Sequence, residues 1–281
     1  MRTFSDIQEL QTELDARRSS GRRIAFVPTM GNLHEGHLSL VRRGLEVAND
    51  VVVSIFVNPL QFGAGEDLDA YPRTLSTDLQ ALESLGTPYV FTPSVQQLYP
   101  NGLESHTQVR VPGLTDVLCG NARPGHFDGV TTVVCKLLNI VGPQIALFGK
   151  KDLQQLLVVT RMVRDLALPV GIEGVATARA EDGLALSSRN GYLSSAARQR
   201  APELYAHLSR IRDAILEGET DYAGLCAEAV QRLTELGFEC DYCEVRRCDD
   251  LQLALPGDQD IAVFAAARLE TTRLIDNLAM F

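Results

Sequence analysis

The stretch Val27-Pro28-Thr29-Met30-Gly31-Asn32-Leu33-His34-Glu35-Gly36-His37-Leu38-Ser39-Leu40 joins the end of an apolar run to the start of a helical one, and its reading decides the fold. Upstream, Arg23-Ile24-Ala25-Phe26-Val27 reads as a short buried strand that stops at Pro28, because proline cannot donate to a ladder. Downstream, Leu38, Leu40, Val41 and Leu45 fall on one helical stripe. Gly31 and Gly36 let the backbone turn and approach a ligand, while the new helix points free N–H groups and its positive dipole end at whatever sits there. An anion is the expected guest. His34 and His37 are neighbours on a first helical turn and can donate to the same phosphate, although two such histidines without this strand-turn-helix setting would read as surface or satisfied core residues.

Working outward, the chain of 281 residues is 45% hydrophobic and 22% charged, which suits a globular protein of one large domain or two smaller ones. Its formal net charge of −10 opposes nucleic acid or an anionic membrane as partner, since both need a broad basic field. No apolar run approaches the length of a membrane span and the N-terminus is polar, so a cytoplasmic location is expected. Cysteines stand at 119, 135, 226, 240, 243 and 248. Cys240 and Cys243 have CxxC spacing, but the segment 238–245 reads as a strand in which positions three apart face opposite sides. No second pair or nearby histidine completes a zinc site, so reduced structural thiols are expected.

Ile7, Leu10 and Leu14 mark a helix over 5–19 with Ser5 and Asp6 as candidate caps. The segment 50–57 is apolar on both faces and belongs inside a parallel sheet. Leu75, Leu79, Leu82 and Leu85 mark another helix and 88–91 another strand, giving the alternation of a doubly wound α/β sheet whose ligands bind beyond the C-terminal strand ends. The loop 58–73 is longer than a connection requires, and reads either as a gate over the site or as a solvated connector. Asn58 and Gln61 at its start suit a small polar substrate. From 92 to 128 the chain is less regular, with 109–111 as a possible short strand. Arg123 and His126 lie in a loop before a helix that Gly142-Pro143 ends, where they serve either an anion or the turn itself.

Two more segments carry phosphate chemistry. Ile145 to Gly149 is a strand running through Lys150, Lys151 and Asp152 into a long helix, placing positive charge at a strand end; Asp152 with Gln155 is equally an N-cap and capping-box pair. After a last strand near 169–175, Ser187, Ser188 and Arg189 offer hydroxyls and a forked permanent cation suited to β- and γ-phosphates, although Ser-Ser-Arg alone is an ordinary surface turn. Beyond, helices over 194–217 and 221–237 and strands near 239–247 and 260–267 suggest a smaller α/β domain from about residue 178, hinged so that Ser187 to Arg189 cap the nucleotide. Tyr242, Glu244 and Arg246, alternating with Cys243 and Val245, suggest that its strand has one exposed face.

His-x-Gly-His at the head of a helix resembles the signature of the nucleotidyltransferase superfamily, and Ser187-Ser188-Arg189 its second phosphate signature in the arginine form. The longer strings over 28–41, 56–63, 71–74, 123–136, 148–156 and 182–193 resemble the pantothenate synthetase family across nearly the whole chain, with Asn32 where that family has a small alanine. The resemblance implies a Rossmann-like doubly wound parallel sheet over 1–177 binding nucleotide and pantoate, with a smaller C-terminal α/β domain over 178–281. It implies ATP-dependent joining of pantoate to β-alanine through a pantoyl adenylate, with Mg²⁺, in a homodimer. It implies a catalytic set of His37, His34, Lys151 and Arg189. ATP would meet Met30, Gly31, His34, His37, Gly149, Lys150, Lys151, Asp152, Ala178, Leu186, Ser187, Ser188 and Arg189; pantoate would meet Gln61 and Gln155; β-alanine would meet Gln61, with no protein side chain assigned to metal. Two other readings of the same letters are a nucleotidyltransferase that adenylylates a phosphate and a silent ATP sensor.

Overall fold

The structure, a computed structural model, describes residues 1–63 and 65–280; Ala64 of the long loop and Phe281 lie outside the described residues. In chain order the first part runs β1 (Arg2–Phe4), α1 (Ile7–Ser19), β2 (Ile24–Thr29), α2 (Glu35–Val47), β3 (Asp50–Ile55), α3 (Leu75–Ser84), β4 (Tyr89–Phe91), α4 (Val95–Leu98), α5 (Cys119–Ala122), α6 (His126–Val141), β5 (Ile145–Gly149), α7 (Leu153–Asp165) and β6 (Gly171–Val175). The second part adds α8 (Ser195–Arg200), α9 (Glu203–Leu216), α10 (Tyr222–Glu235), β7 (Phe238–Arg247), β8 (Ile261–Leu269) and β9 (Thr272–Met280).

Strands β1 to β6 form one parallel sheet in the order β1-β4-β3-β2-β5-β6. The chain steps outward from β2 to β3 and β4, then returns to lay β5 on the other side of β2. The order therefore reverses between β2 and β5, and the crevice beyond their C-terminal ends is where such sheets bind ligands. Helices cover both faces: Leu40, Val41 and Leu82 pack on Ala25, Val27, Val51, Val53 and Val90, while α1, α6 and α7 bury Ile24, Phe26, Val52, Phe91 and Phe148.

Pro28 does not end its strand. It lies inside β2, opposite Ser54 of β3. The N–H and C=O of Ile24 face the β5 side, where both bond Gln144, and even-numbered residues of β2 follow suit. Pairing with β5 stops at Phe26, so the N–H that Pro28 lacks has no strand waiting for it.

The second part departs from its expected outline in four places. Pro202 splits the expected helix over 194–217 into α8 and α9. A third strand, β9, pairs antiparallel with β8, completing the sheet order β7-β8-β9. The register of β7 shifts between Cys240 and Tyr242, and this bulge puts Cys240 and Cys243 on the same face rather than opposite ones, both against the cluster under α9 and α10. The other face is not exposed: Tyr242 and Phe264 pack into the core beneath the large sheet, the Tyr242 hydroxyl lies 3.0 Å from Cys119 Sγ, and Arg246 bonds Glu244 at 2.5 Å. In the first part, residues 109–111 form no strand; Val109 instead exchanges hydrogen bonds with Thr131 and Thr132 of α6. All six cysteines are free.

Candidate active site

The His-x-Gly-His turn is built by three devices. Gly31 (φ 79°) and Asn32 (φ 50°) reverse the chain in the left-handed region, which asparagine tolerates better than most side chains, so Asn32 suits its position. The Asp78 carboxylate of α3, 2% exposed, accepts from the N–H groups of Asn32 (2.9 Å) and Leu33 (2.8 Å) and ties the turn to that helix. His34 then caps α2 with its ring: Nδ1 accepts from Gly36 N–H at 3.1 Å, and a Cβ on Gly36 would stand 2.9 Å from that ring, so only glycine fits between the histidines.

The helix spends three of its first four amides internally, Gly36 on the His34 ring and His37 and Leu38 on the His34 carbonyl. An incoming anion therefore meets imidazoles and the helix dipole more than the row of free N–H groups expected there. His37 Nδ1 accepts from His34 N–H at 3.3 Å. With both Nδ1 atoms accepting, each neutral ring carries its proton on Nε2. Burial lowers His34 to about 4, helped by the Lys151 charge, and His37 to about 3, helped by His34 and Lys151. The two rings, 4.2 Å apart, are neutral donors at pH 7.

One cavity of about 480 Å³ opens beyond β2 and β5, and the three phosphate-type segments meet in it. Met30, His34 and His37 line it from the first. Gly149, Lys151 and Asp152 line it from the second, and Ala178, Leu186, Ser187, Ser188 and Arg189 from the third. Gly31 and Lys150 stand outside the lining; the Lys150 stem lies over Gly174 of β6. Asp152 makes no side-chain cap bond, so the capping-box alternative is not what this turn uses. Ser188 Oγ donates to the Asn32 carbonyl at 3.2 Å, linking the third segment to the first. Ser187 Oγ accepts from Arg189 N–H at 3.2 Å.

Gln61, Gln154 and Gln155 line the same cavity, the side-chain amide of Gln154 being spent on Leu114, Val117 and Cys119 backbone atoms. Gln61 is oriented by a relay: Tyr99 hydroxyl donates to Asn58 Oδ1 at 2.7 Å and Asn58 Nδ2 to Gln61 Oε1 at 3.2 Å, which leaves Gln61 Nε2 against Met30 Sδ at 2.8 Å. Arg123 and His126 hold the backbone behind it. Arg123 donates to His126 Nε2 (2.9 Å), so the ring proton is on Nδ1 and donates to the Gln61 carbonyl at 2.8 Å. The long loop reaches across the cavity with two carboxylates: Glu66 grips Arg123 at 2.6 Å, and Asp67 takes Arg189 through two bonds of 3.0 and 2.8 Å. Burial works to raise the Glu66 carboxyl, but Arg123 overrides it and holds it at about 2.

The sequence reading did not find Asp78, Tyr99 or the pair Asp276-Asn277. Asp78 was marked by an acid standing on the apolar stripe of Leu75, Leu79 and Leu82; Asp276 by an acid alternating with Leu274, Leu278 and Met280.

Comparison with known proteins fits this geometry. The family described as Pantoate-beta-alanine ligase matches residues 2–279. The chain belongs to that family. Among curated relatives named pantothenate synthetase, that of Hahella chejuensis is 53% identical over 280 residues, 100% of this chain and 99% of its own; that of Chromohalobacter salexigens is 56% identical over the same shares. The crystal structure of pantothenate synthetase from Thermus thermophilus superposes with a TM-score of 0.92 at 45% identity, covering 99% of both chains. The Francisella tularensis pantoate-beta-alanine ligase, complexed with β,γ ATP and β-alanine, superposes at 0.82 with 33% identity, covering 99% of this chain and 97% of its own. The family's reaction condenses pantoate with β-alanine using ATP, and this chain is an enzyme of that kind.

The buried rings set an acid limit on stability. Burial pushes all five histidines below the ordinary 6.5, His126 to about 4 with Arg123 assisting. Unfolded histidines take protons near 6.5 while the folded rings refuse them until about pH 3 to 4, so the unfolded chain binds more protons in that window. Stability is therefore expected to fall as pH drops below about 6.5, through pH 4. Urea midpoints of the ligand-free enzyme between about pH 7 and 5 check this, and a flat profile would contradict it.

Proposed function

We propose that the cavity runs the family reaction in two steps, both with the same oriented set of donors. ATP lies along the three segments, its triphosphate against His34, His37, Lys151, Ser187, Ser188 and Arg189, with Met30, Gly31, Gly149, Lys150, Asp152, Ala178 and Leu186 framing the rest through side chain or backbone. Pantoate lies between Gln61 and Gln155, and β-alanine enters beside Gln61. What carries this reading is the meeting of three distant segments and both glutamines in one cavity.

A pantoate carboxylate oxygen attacks the α-phosphorus in line, the bond from that phosphorus to the pyrophosphate oxygen breaks, and pantoyl adenylate forms. The neutral Nε2–H groups of His34 and His37 donate to oxygens gaining charge, and Lys151 and Arg189 offset the charge of the departing pyrophosphate. Arg189 is held by Asp67, so an incoming triphosphate competes with the loop for one guanidinium. The β-alanine amine then attacks the acyl carbon and AMP leaves, carrying one pantoate oxygen. The closed loop keeps water from the adenylate.

Among the described residues no group of three His, Cys, Asp or Glu side chains is placed to hold a metal. The donor set fits Mg²⁺ carried by the triphosphate, with Asp152, which lines the cavity, as the nearest carboxylate at the lysine turn. Bound there, Mg²⁺ neutralises phosphate charge. We further assign residues 1–177 to nucleotide and pantoate binding and 178–281 to the cap over ATP, in a homodimer, as the family likeness implies. A reducing cytosol suits six unpaired thiols, and among the described residues no helix is long and apolar enough to cross a membrane.

The test is ATP with pantoate, with and without β-alanine, following AMP, pyrophosphate and pantothenate. With ¹⁸O in the pantoate carboxylate, label is expected in AMP. Pyrophosphate release without AMP when both substrates are present would favour a plain nucleotidyltransferase, and no turnover a nucleotide sensor.

A further inference from the structure

Two of the three phosphate segments are tied together by adjacent residues of β9 that also line the cavity. Asn277 is 7% exposed, and its Nδ2 donates to the carbonyls of Lys150 (2.9 Å) and Lys151 (2.8 Å). Carbonyl oxygens only accept, so the amide has one possible orientation, with both its N–H bonds spent on the turn. In a trans peptide the C=O and the following N–H are antiparallel, so fixing these two carbonyls also fixes the N–H directions of Lys151 and Asp152. The Asp152 side chain supplies no such brace. Asp276 works in the other direction. Its carboxylate, 4% exposed, accepts from Asn277 N–H at 2.8 Å and holds Arg179 by bonds of 2.6 and 2.8 Å. Arg179 opens the segment that ends in Ser187, Ser188 and Arg189.

We infer that Asn277 is a positioning residue for ATP: by clamping the lysine turn to the strand that also anchors Arg179, it sets the distance between the two cationic arms of the triphosphate site. The small sheet thereby belongs to the machinery of the first step, although no residue of β7, β8 or β9 is assigned a contact with ATP. The inference rests on the reading that Lys151 meets the phosphates.

The variant Asn277→Asp keeps the shape but replaces the two N–H donors of Nδ2 with one acceptor oxygen facing two carbonyls. The expected result is a rise of about tenfold or more in KM for ATP, while KM for β-alanine, measured with preformed pantoyl adenylate, is unchanged because that half-reaction needs no triphosphate. A carboxyl facing carbonyl oxygens titrates above its ordinary range, and once protonated it regains one donor. The other charges around it are Asp276 and Arg179, paired with each other, and the lysines of the turn. The deficit in kcat/KM for ATP relative to the parent enzyme is therefore expected to shrink as pH is lowered from about 8 to about 6, and Asn277→Ala is expected to show the same deficit without recovery. An unchanged KM for ATP, an equal rise in KM for β-alanine, or the same pH profile in both variants would overturn the inference. Lys151→Ala separates the two levels. If it leaves ATP binding intact, the site reading fails; if it weakens ATP binding and Asn277→Asp does not, the positioning role alone fails.

Discussion

Replacing His37 with alanine is expected to lower kcat at least about 100-fold with little change in stability, the loss typical of removing one preorganised donor to a charge that develops in the transition state. The structural case is specific. The ring is pinned by the backbone N–H of His34 on Nδ1, which leaves Nε2–H as its one donor, and burial with the nearby Lys151 charge keeps it neutral down to about pH 3. A neutral, fixed N–H needs no reorganisation as charge moves onto the phosphate oxygens. Because the ring is uncharged in the working range, the loss should be nearly the same at pH 6 and pH 8, approximate limits set by the depressed ring. Single-turnover formation of the adenylate measures it directly. A loss below about tenfold would make His37 a scaffold for His34.

Lys151→Ala is expected to cost about 100-fold or more in kcat/KM for ATP, and Lys150→Ala less than about tenfold. The neighbours share a charge and a turn but not a direction. Lys151 lines the cavity, its Nζ 3.8 Å from Asp152 Oδ1, and its charge acts on the imidazoles of both His34 and His37. Lys150 is outside the lining with its stem along β6. The contrast also carries a secondary sign: without the Lys151 charge, His34 and His37 should titrate higher than they do in the parent enzyme, which NMR of the imidazoles would report. Equal losses in the two lysine variants would place the triphosphate elsewhere.

The large sheet was legible because its strands are continuous apolar runs separated by amphipathic helices, and the shared phosphate chemistry of three segments pointed to one pocket, whereas the strand order that places that pocket is seen only in the structure. What escaped had physical reasons. Pro28 continues its strand because the side it faces has lost its partner, a fact about β5 that no local pattern in 23–29 contains. The bulge in β7 adds a residue and so undoes the odd-even count that put Cys240 and Cys243 on opposite faces. Strand β9 was hidden because Arg273, Asp276 and Asn277 interrupt its apolar alternation, and each of them is polar for a tertiary reason, bonding Asp241, Arg179 or the lysine turn. The residues proposed to touch a ligand cluster in short strings, whereas those that orient them, such as Asp78 and Tyr99, arrive one at a time from other elements of the chain.

Phe264 and Ala262 of the small sheet share one apolar cluster with Phe26, Phe148 and the helices beneath the large sheet. A seam of that kind is welded rather than latched: swinging the small sheet aside as a rigid flap would wet those rings, at roughly 25 cal/mol for every Å² uncovered. That cost favours admission of substrates by the proposed movement of the loop, which leaves the shared cluster intact as the backing of the cavity, over a swing of the small sheet.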